Sequence, residues 1–194
     1  MRIIAGRLRG RDLGAVPAGV RPTSDRVRES LFGRLGPLDG CRVLDLFAGT
    51  GALGIEAFSR GAEGVVFVER SRRVAADLRR RIGRLGLGGS PDLRVLGLDA
   101  TRAIRRLEEE AGPAFDLAFI AAPYASDDRL TSLDALLSSG LLAPGATVVV
   151  EGPKRHPVPP RPGARVVDER DYGDSRLTWL EACRARREGT DDAP

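Results

Sequence analysis

The sequence predicts an α/β fold: a mostly parallel, seven-stranded sheet covered by helices, with an antiparallel last strand and with a β-hairpin and a helix ahead of it. Two patterns carry that expectation. Between residues 42 and 151, short apolar runs alternate with longer segments of helical period, as in a parallel sheet covered on both faces. Beyond Pro153, two further runs are separated only by Tyr172, Gly173, Asp174 and Ser175, a spacing that suits an antiparallel hairpin. With 194 residues, 42% of them hydrophobic and evenly spread, the chain has material for one good core.

Taken in order, residues 2–5 and 11–14 flank a Gly- and Arg-rich turn and are expected to pair as a hairpin. A helix follows Pro22, with Thr23 or Ser24 as N-cap, Asp25 in the first turn, and Val27, Leu31 and Leu35 at four-residue spacing. Gly36 and Pro37 stop it. The parallel strands are expected over 42–46, 65–69, 93–96, 115–120 and 146–151. Ser71 can cap a helix whose Val74, Leu78, Ile82 and Leu85 form one apolar stripe, and 101–110 and 129–138 are the other crossovers. The closing hairpin joins 164–171 to 176–183. We therefore expect an extension over 1–36, the main domain over 37–185 and a frayed acidic tail over 186–194.

Charge is unevenly placed. Residues 1–34 hold eight Arg against Asp12, Asp25 and Glu29, a net of +5, whereas the whole chain carries +4, leaving −1 for the rest. A basic arm beside a near-neutral body suits a phosphate backbone, because clustered cations release counterions, and it equally suits a solvated surface. No apolar run is long enough for a signal peptide or a membrane span, so a cytoplasmic protein without membrane contact is expected. Cys41 and Cys183 lack a partner motif and read as buried free thiols, and no metal site is expected. His156 reads as a solvated loop residue and Trp179 as core, while Tyr172 suits either base stacking or turn packing.

The sharpest local signal is the run from Val43 to Gly54, a strand entering a Gly-rich turn that opens a helix. Such a turn lets the backbone approach a ligand closely and points helix N–H groups at it. Gly49, Gly51 and Gly54 spell the dinucleotide pattern G-x-G-x-x-G, with Glu69 ending the next strand. Asp45 argues against a dinucleotide: a carboxylate about 5 Å from a pyrophosphate costs about 3 kcal/mol at an effective dielectric of about 20. The same carboxylate attracts the ammonium of S-adenosylmethionine. Glu69 can accept from ribose hydroxyls, and Asp99 is placed for an adenine amino group, with Phe47, Ala48, Arg70 and Ala100 completing the expected lining.

Three stretches carry a resemblance to a known family. They are Met1 to Gly6 with Arg9-Gly10-Arg11, the run Arg21-Pro22-Thr23-Ser24-Asp25-Arg26-Val27-Arg28-Glu29-Ser30-Leu31-Phe32, and Asp45 to Ala57; Tyr172-Gly173-Asp174-Ser175 adds a fourth. The sequence resembles the bacterial small-subunit ribosomal RNA guanine-N2 methyltransferases from residue 1 to about 183. The resemblance implies a Rossmann-like fold of the class I S-adenosylmethionine-dependent methyltransferases, with that donor as cofactor and a guanine amino group as acceptor. It places Asp45, Gly49 and Gly51 at the methionine end of the donor, Glu69 at its ribose and Asp99 at its adenine. It also implies ribosomal RNA or the small ribosomal subunit as partner of a monomer, with RNA contacts expected from Arg7, Arg9, Arg11, Arg21, Thr23, Arg26 and Arg28; Arg21, Thr23 and Arg28 lie near the donor pocket or the entering RNA.

The loop after the fourth strand departs from that family. Amino-group methyltransferases carry Asp or Asn, two prolines and an aromatic residue there, and the corresponding catalytic positions here are Ala121, Ala122, Pro123 and Tyr124. An exocyclic amine conjugated into guanine has a delocalised lone pair, so a placed acceptor and correct orientation are the main levers on its attack. With Ala121 one acceptor is missing, while the Ala122 carbonyl can still accept and Tyr124 can still stack on a flipped base. Asp127 and Asp128 read as caps of the next helix. Three functions remain open: an RNA guanine-N2 methyltransferase with slowed turnover, an NAD(P)-binding oxidoreductase, and a non-catalytic RNA-binding or ribosome-assembly protein.

Overall fold

The computed structural model of the chain describes residues 1–17, 19, 23–122 and 128–183. Its sheet has seven strands in the order β3-β2-β1-β4-β5-β7-β6, formed by β1 (Arg42–Asp45), β2 (Gly64–Val68), β3 (Leu93–Leu96), β4 (Phe115–Ile120), β5 (Leu142–Pro153), β6 (Ala164–Tyr172) and β7 (Ser175–Ala182). β1 to β5 run parallel, and β7 lies antiparallel between β5 and β6. The helices are α1 (Asp25–Leu35), α2 (Ala52–Ser59), α3 (Arg72–Arg84), α4 (Ala100–Glu109) and α5 (Asp128–Ser138). The expected architecture and its elements are therefore present, β5 being longer at both ends because β7 pairs with it from Thr147 to Pro153 and Leu142 pairs with Phe115.

Alternation along the strands divides the interior in two, since successive side chains point to opposite faces. Val43, Phe67, Leu117, Phe119 and Val149 pack under α1, α2 and α3 with Trp179. Leu44, Val66, Ala118, Ile120 and Val150 pack under α4 and α5. The α3 stripe is realised: Val74, Leu78, Ile82 and Leu85 are all buried. Ser24 is the N-cap of α1, its hydroxyl accepting from the Val27 N–H at 3.3 Å, and Gly36 ends the helix at φ 74°. Trp179 is core, at 1% exposure, and His156 is exposed, as expected.

The N-terminal segment forms the expected hairpin in short form. Arg2 bridges Asp12 in the antiparallel sense, with the Ile3 N–H donating to the Arg11 carbonyl at 3.0 Å and the Leu13 N–H to the Met1 carbonyl at 2.9 Å. Other donors of the segment reach α2: the Ile4 and Ala5 N–H groups bond the Glu56 carboxylate at 2.8 and 3.0 Å, and the Arg7 N–H bonds the Ser59 carbonyl at 2.8 Å. The hairpin thereby belts α2, whose eight residues are all buried, and contributes Ile3, Leu8 and Leu13 to the core. Ile3, Leu8 and Leu13, with Val27, Leu31 and Phe32 of α1, thus share the core of the sheet domain. Cys41 is half-buried and Cys183 exposed, so the expectation of two buried thiols is corrected. Cys183 follows the end of β7, with its backbone N–H tied to the Gly163 carbonyl and its thiol meeting the Glu181 carbonyl at the surface. Tyr172 serves packing, its hydroxyl meeting that of Ser30 on α1. The tail expected over 186–194 lies outside the described residues.

Candidate active site

In open α/β sheets the carboxyl ends of parallel strands meet the amino ends of helices, and a crevice forms where the strand order reverses. Here β1 lies between β2 and β4, and a cavity of about 570 Å³ opens above it. Its lining brings together Asp45, Phe47, Ala48 and Gly49 after β1, Glu69 and Arg70 after β2, Asp99 and Ala100 after β3, and Ala121 and Ala122 after β4. Expected donor-site and catalytic residues from the ends of four strands thus share one wall system with Thr23 from the N-terminal extension. Gly51 stands just behind it as the N-cap of α2, at φ 77°, a conformation that a side chain resists. Gly54 allows close packing of α2 on β2, for a Cβ there would lie 2.3 Å from the Phe67 ring.

The carboxylates hold the loop in shape. Asp45 is 1% exposed and accepts from the Gly54 N–H at 3.1 Å. Burial pushes its carboxyl up to about 7, and the charge of Glu69 adds to the rise while the Gly54 and Phe47 N–H groups oppose it. Glu69 clamps two loops at once, accepting from the Gly49 N–H at 3.1 Å and the Ser71 N–H at 2.8 Å. Asp99 caps α4, accepting from the Arg102 N–H at 3.0 Å and the Thr101 hydroxyl at 2.9 Å. Burial works against its charged form, but those bonds and the nearby Arg102 guanidinium outweigh burial and hold it below the ordinary carboxylate range.

These bonds bear on which ligand fits. A pyrophosphate needs loop and helix N–H donors, yet those of Gly49 and Gly54 already bond Glu69 and Asp45. A cationic nucleoside suits the cavity instead: Asp45 gains its charge when a cation arrives, Glu69 keeps acceptor capacity for hydroxyls, and Val74, Leu98 and Ala100 offer an apolar slot. Arg70 reaches across to Asp128 at 3.2 Å, tying the loop after β2 to the first turn of α5. Thr131, Ser132 and Glu151, and Ser71, which the sequence marks only as a helix cap, also line the cavity. Glu151 carries the signal that marked Asp45 and Glu69, an acid where a strand reaches the carboxyl edge. The α5 residues have no such mark.

The expected RNA contacts are scattered. Arg28 is corrected outright: it is fully buried, with its guanidinium bonded to Asp25 at 2.7 Å and to the Arg2 carbonyl at 2.8 Å, and 3.7 Å from the buried Glu56. Arg7 lies over the Phe58 ring at 3.8 Å, near the end of α2, and Arg11 bonds the Leu85 carbonyl at 2.7 Å, at the end of α3. The cavity touches the beginnings of those helices, so both sit a helix length away, about 12 and 20 Å at about 1.5 Å per residue. Arg9 and Arg26 are exposed. Arg21, Pro123, Tyr124 and Asp127 lie outside the described residues.

Comparison with known proteins agrees with this architecture. The chain is 35% identical over 164 residues to the ribosomal RNA small subunit methyltransferase D of Escherichia coli strain K12, covering 84% of this chain and 79% of that protein. The protein of the same name from Haemophilus influenzae is 35% identical over 160 residues, 81% of each chain. A solved structure of a hypothetical protein from Thermus thermophilus superposes with a TM-score of 0.78 at 34% identity, covering 94% of this chain and 99% of that one. The family model described as Conserved hypothetical protein 95 matches residues 1–181. A match over nearly the whole chain, together with these relatives, establishes that the chain belongs to the Conserved hypothetical protein 95 family.

Proposed function

We propose that the chain is an enzyme that transfers a methyl group from S-adenosylmethionine to the N2 amino group of a guanine in small-subunit ribosomal RNA, acting as a cytoplasmic monomer. The observation that carries this reading is the pairing of Asp45 and Glu69 with the Gly-loop amides, which leaves a cavity built for a positive nucleoside and poor for a pyrophosphate. The relatives named as small-subunit ribosomal RNA methyltransferases supply the acceptor class. Among the described residues, no helix is long and apolar enough to cross a membrane.

When bound, the donor supplies an electrophilic methyl group on a sulfonium. Asp45 holds the donor's cationic end, Glu69 its ribose hydroxyls, and Asp99 with Ala100 the adenine end. Ala121 and Ala122 face the cavity at the end of β4 and set where the target amine enters, after the base leaves its stack. Exposed Arg9 and Arg26 supply backbone contacts.

Calorimetric titration with S-adenosylhomocysteine and NAD, paired with labelled methyl incorporation into small-subunit RNA, tests the reading. Binding of the first ligand alone, with methyl in the RNA, is expected; binding of NAD alone sinks it. Replacing Arg9 and Arg26 by Gln is expected to lower the log–log salt slope of RNA affinity by about 1 to 2. An unchanged slope places the RNA surface elsewhere.

A further inference from the structure

A delocalised amine needs an acceptor beside it, and neither Ala121 nor Ala122 brings a side-chain acceptor to the end of β4. Five carboxylates line the cavity among the described residues: Asp45, Glu69, Asp99, Asp128 and Glu151. The first four bond groups away from the end of β4. Asp45 bonds the foot of α2, Glu69 clamps two loops, Asp99 caps α4, and Asp128 is paired with Arg70.

Glu151 stands on β5, the neighbour of β4. The parallel register pairs Ile120 with Val150, which sets Ala121 and Glu151 side by side one residue on. Phe119 and Val149, two residues back, both point into the core under α1, so strand alternation turns Ala121 and Glu151 to that same face. The Glu151 carboxylate is half-buried, and its Oε2 accepts from the Thr23 hydroxyl at 2.8 Å.

We propose that Glu151 is a catalytic residue of this chain, accepting a hydrogen bond from the target amine at the place where Ala121 offers none, and that Thr23 is the positioning residue that aims it. The inference rests on the proposed methyl transfer. As the amine nitrogen forms its bond to the methyl carbon, the S–C bond breaks with its electron pair kept by sulfur, and one N–H proton passes to the Glu151 carboxylate and then to water. The N-terminal extension thereby acts on the reaction through Thr23, just ahead of the Ser24 cap of α1.

The test uses the full chain with labelled S-adenosylmethionine and small-subunit RNA, both free and in assembled subunits. Glu151→Gln is expected to lower kcat by about 100-fold, with S-adenosylhomocysteine affinity, RNA KM and thermal midpoint nearly unchanged. Adding Ala121→Asp to Glu151→Gln is expected to restore at least about tenfold of the loss, since it returns a carboxylate from the adjacent strand. Thr23→Val lowers kcat and Thr23→Ser does not. A Glu151→Gln protein that keeps its kcat, or one that loses donor affinity along with turnover and is not rescued by Ala121→Asp, overturns the proposal. If the unmodified chain is inactive and Ala121→Asp alone makes it active, the role of Glu151 falls while RNA methylation stands. Inactivity of both overturns the two readings together.

Discussion

Asp45 shows how one side chain can be a liability to the fold and an asset to the site. Its carboxyl rises from 3.8 to about 7 because it is buried beside Glu69. A raised carboxyl means the folded state holds its proton more tightly, so this contribution is fully present below pH 3.8 and is lost as pH climbs to about 7. Each tenfold in proton affinity is worth about 1.4 kcal/mol, so the ionised group costs the empty protein about 4 kcal/mol at pH 8. Asp45→Asn, which can still accept from Gly54, is expected to raise urea stability at pH 8 by a large part of that amount and to leave it little changed at pH 4. The same variant is expected to weaken S-adenosylhomocysteine binding at least about tenfold, because a cation loses its counter-charge. Equal stability gains at both pH values would refute the assignment. Such gains in stability at the expense of a site are the usual trade.

At the level of elements, the junction of the N-terminal belt with α1 and α2 is the part most sensitive to change. Glu56 is fully buried yet receives the Ile4 and Ala5 N–H groups, the Arg60 guanidinium at 2.8 Å and the charge of Arg28. Removing Arg28 takes one of two cations from the buried Glu56, orphans the Arg2 carbonyl and empties a fully buried side-chain site, so Arg28→Ala is expected to cost about 3 kcal/mol in chemical denaturation. A loss below about 0.5 kcal/mol would show the pair to be idle. Gly6 is constrained in another way. It sits at φ 79°, and a Cβ would lie 1.8 Å from the Ser59 carbonyl oxygen, so Gly6→Ala must push the belt off α2. Strain and overpacking together predict a loss of about 2 to 4 kcal/mol. Faster hydrogen exchange at Ile4 and Ala5 is the local signature; unchanged protection there would mean that the belt stays in place.

For the molecule as a whole, the cavity gathers loops from four strands and the N-terminal extension, so a ligand that fills it should stabilise the entire fold. S-adenosylhomocysteine at about 100 times its Kd contributes about 2.7 kcal/mol, which for a domain of this size raises the thermal midpoint by about 5 to 10 °C. NAD at the same concentration is expected to leave the midpoint in place, and a matching rise with NAD would contradict the donor assignment. The division between what was readable and what was not follows from the range of the forces. Strand runs, the α3 stripe, the start of α1 at Thr23 or Ser24 and the acids ending β1 and β2 are local patterns, and the sequence by itself determined them along with the sheet that they build. What the N-terminal hairpin docks on was not legible, because whether Ile4 and Ala5 meet water or bond Glu56, and whether Arg28 meets RNA or a buried acid, depends on side chains far along the chain. Glu151 was likewise in plain view as a residue, but its place beside Ala121 comes from strand register, and its aim from Thr23, 128 positions away. Periodicity is written into neighbouring residues, whereas the partner of a charge is decided only once burial has removed water as the alternative.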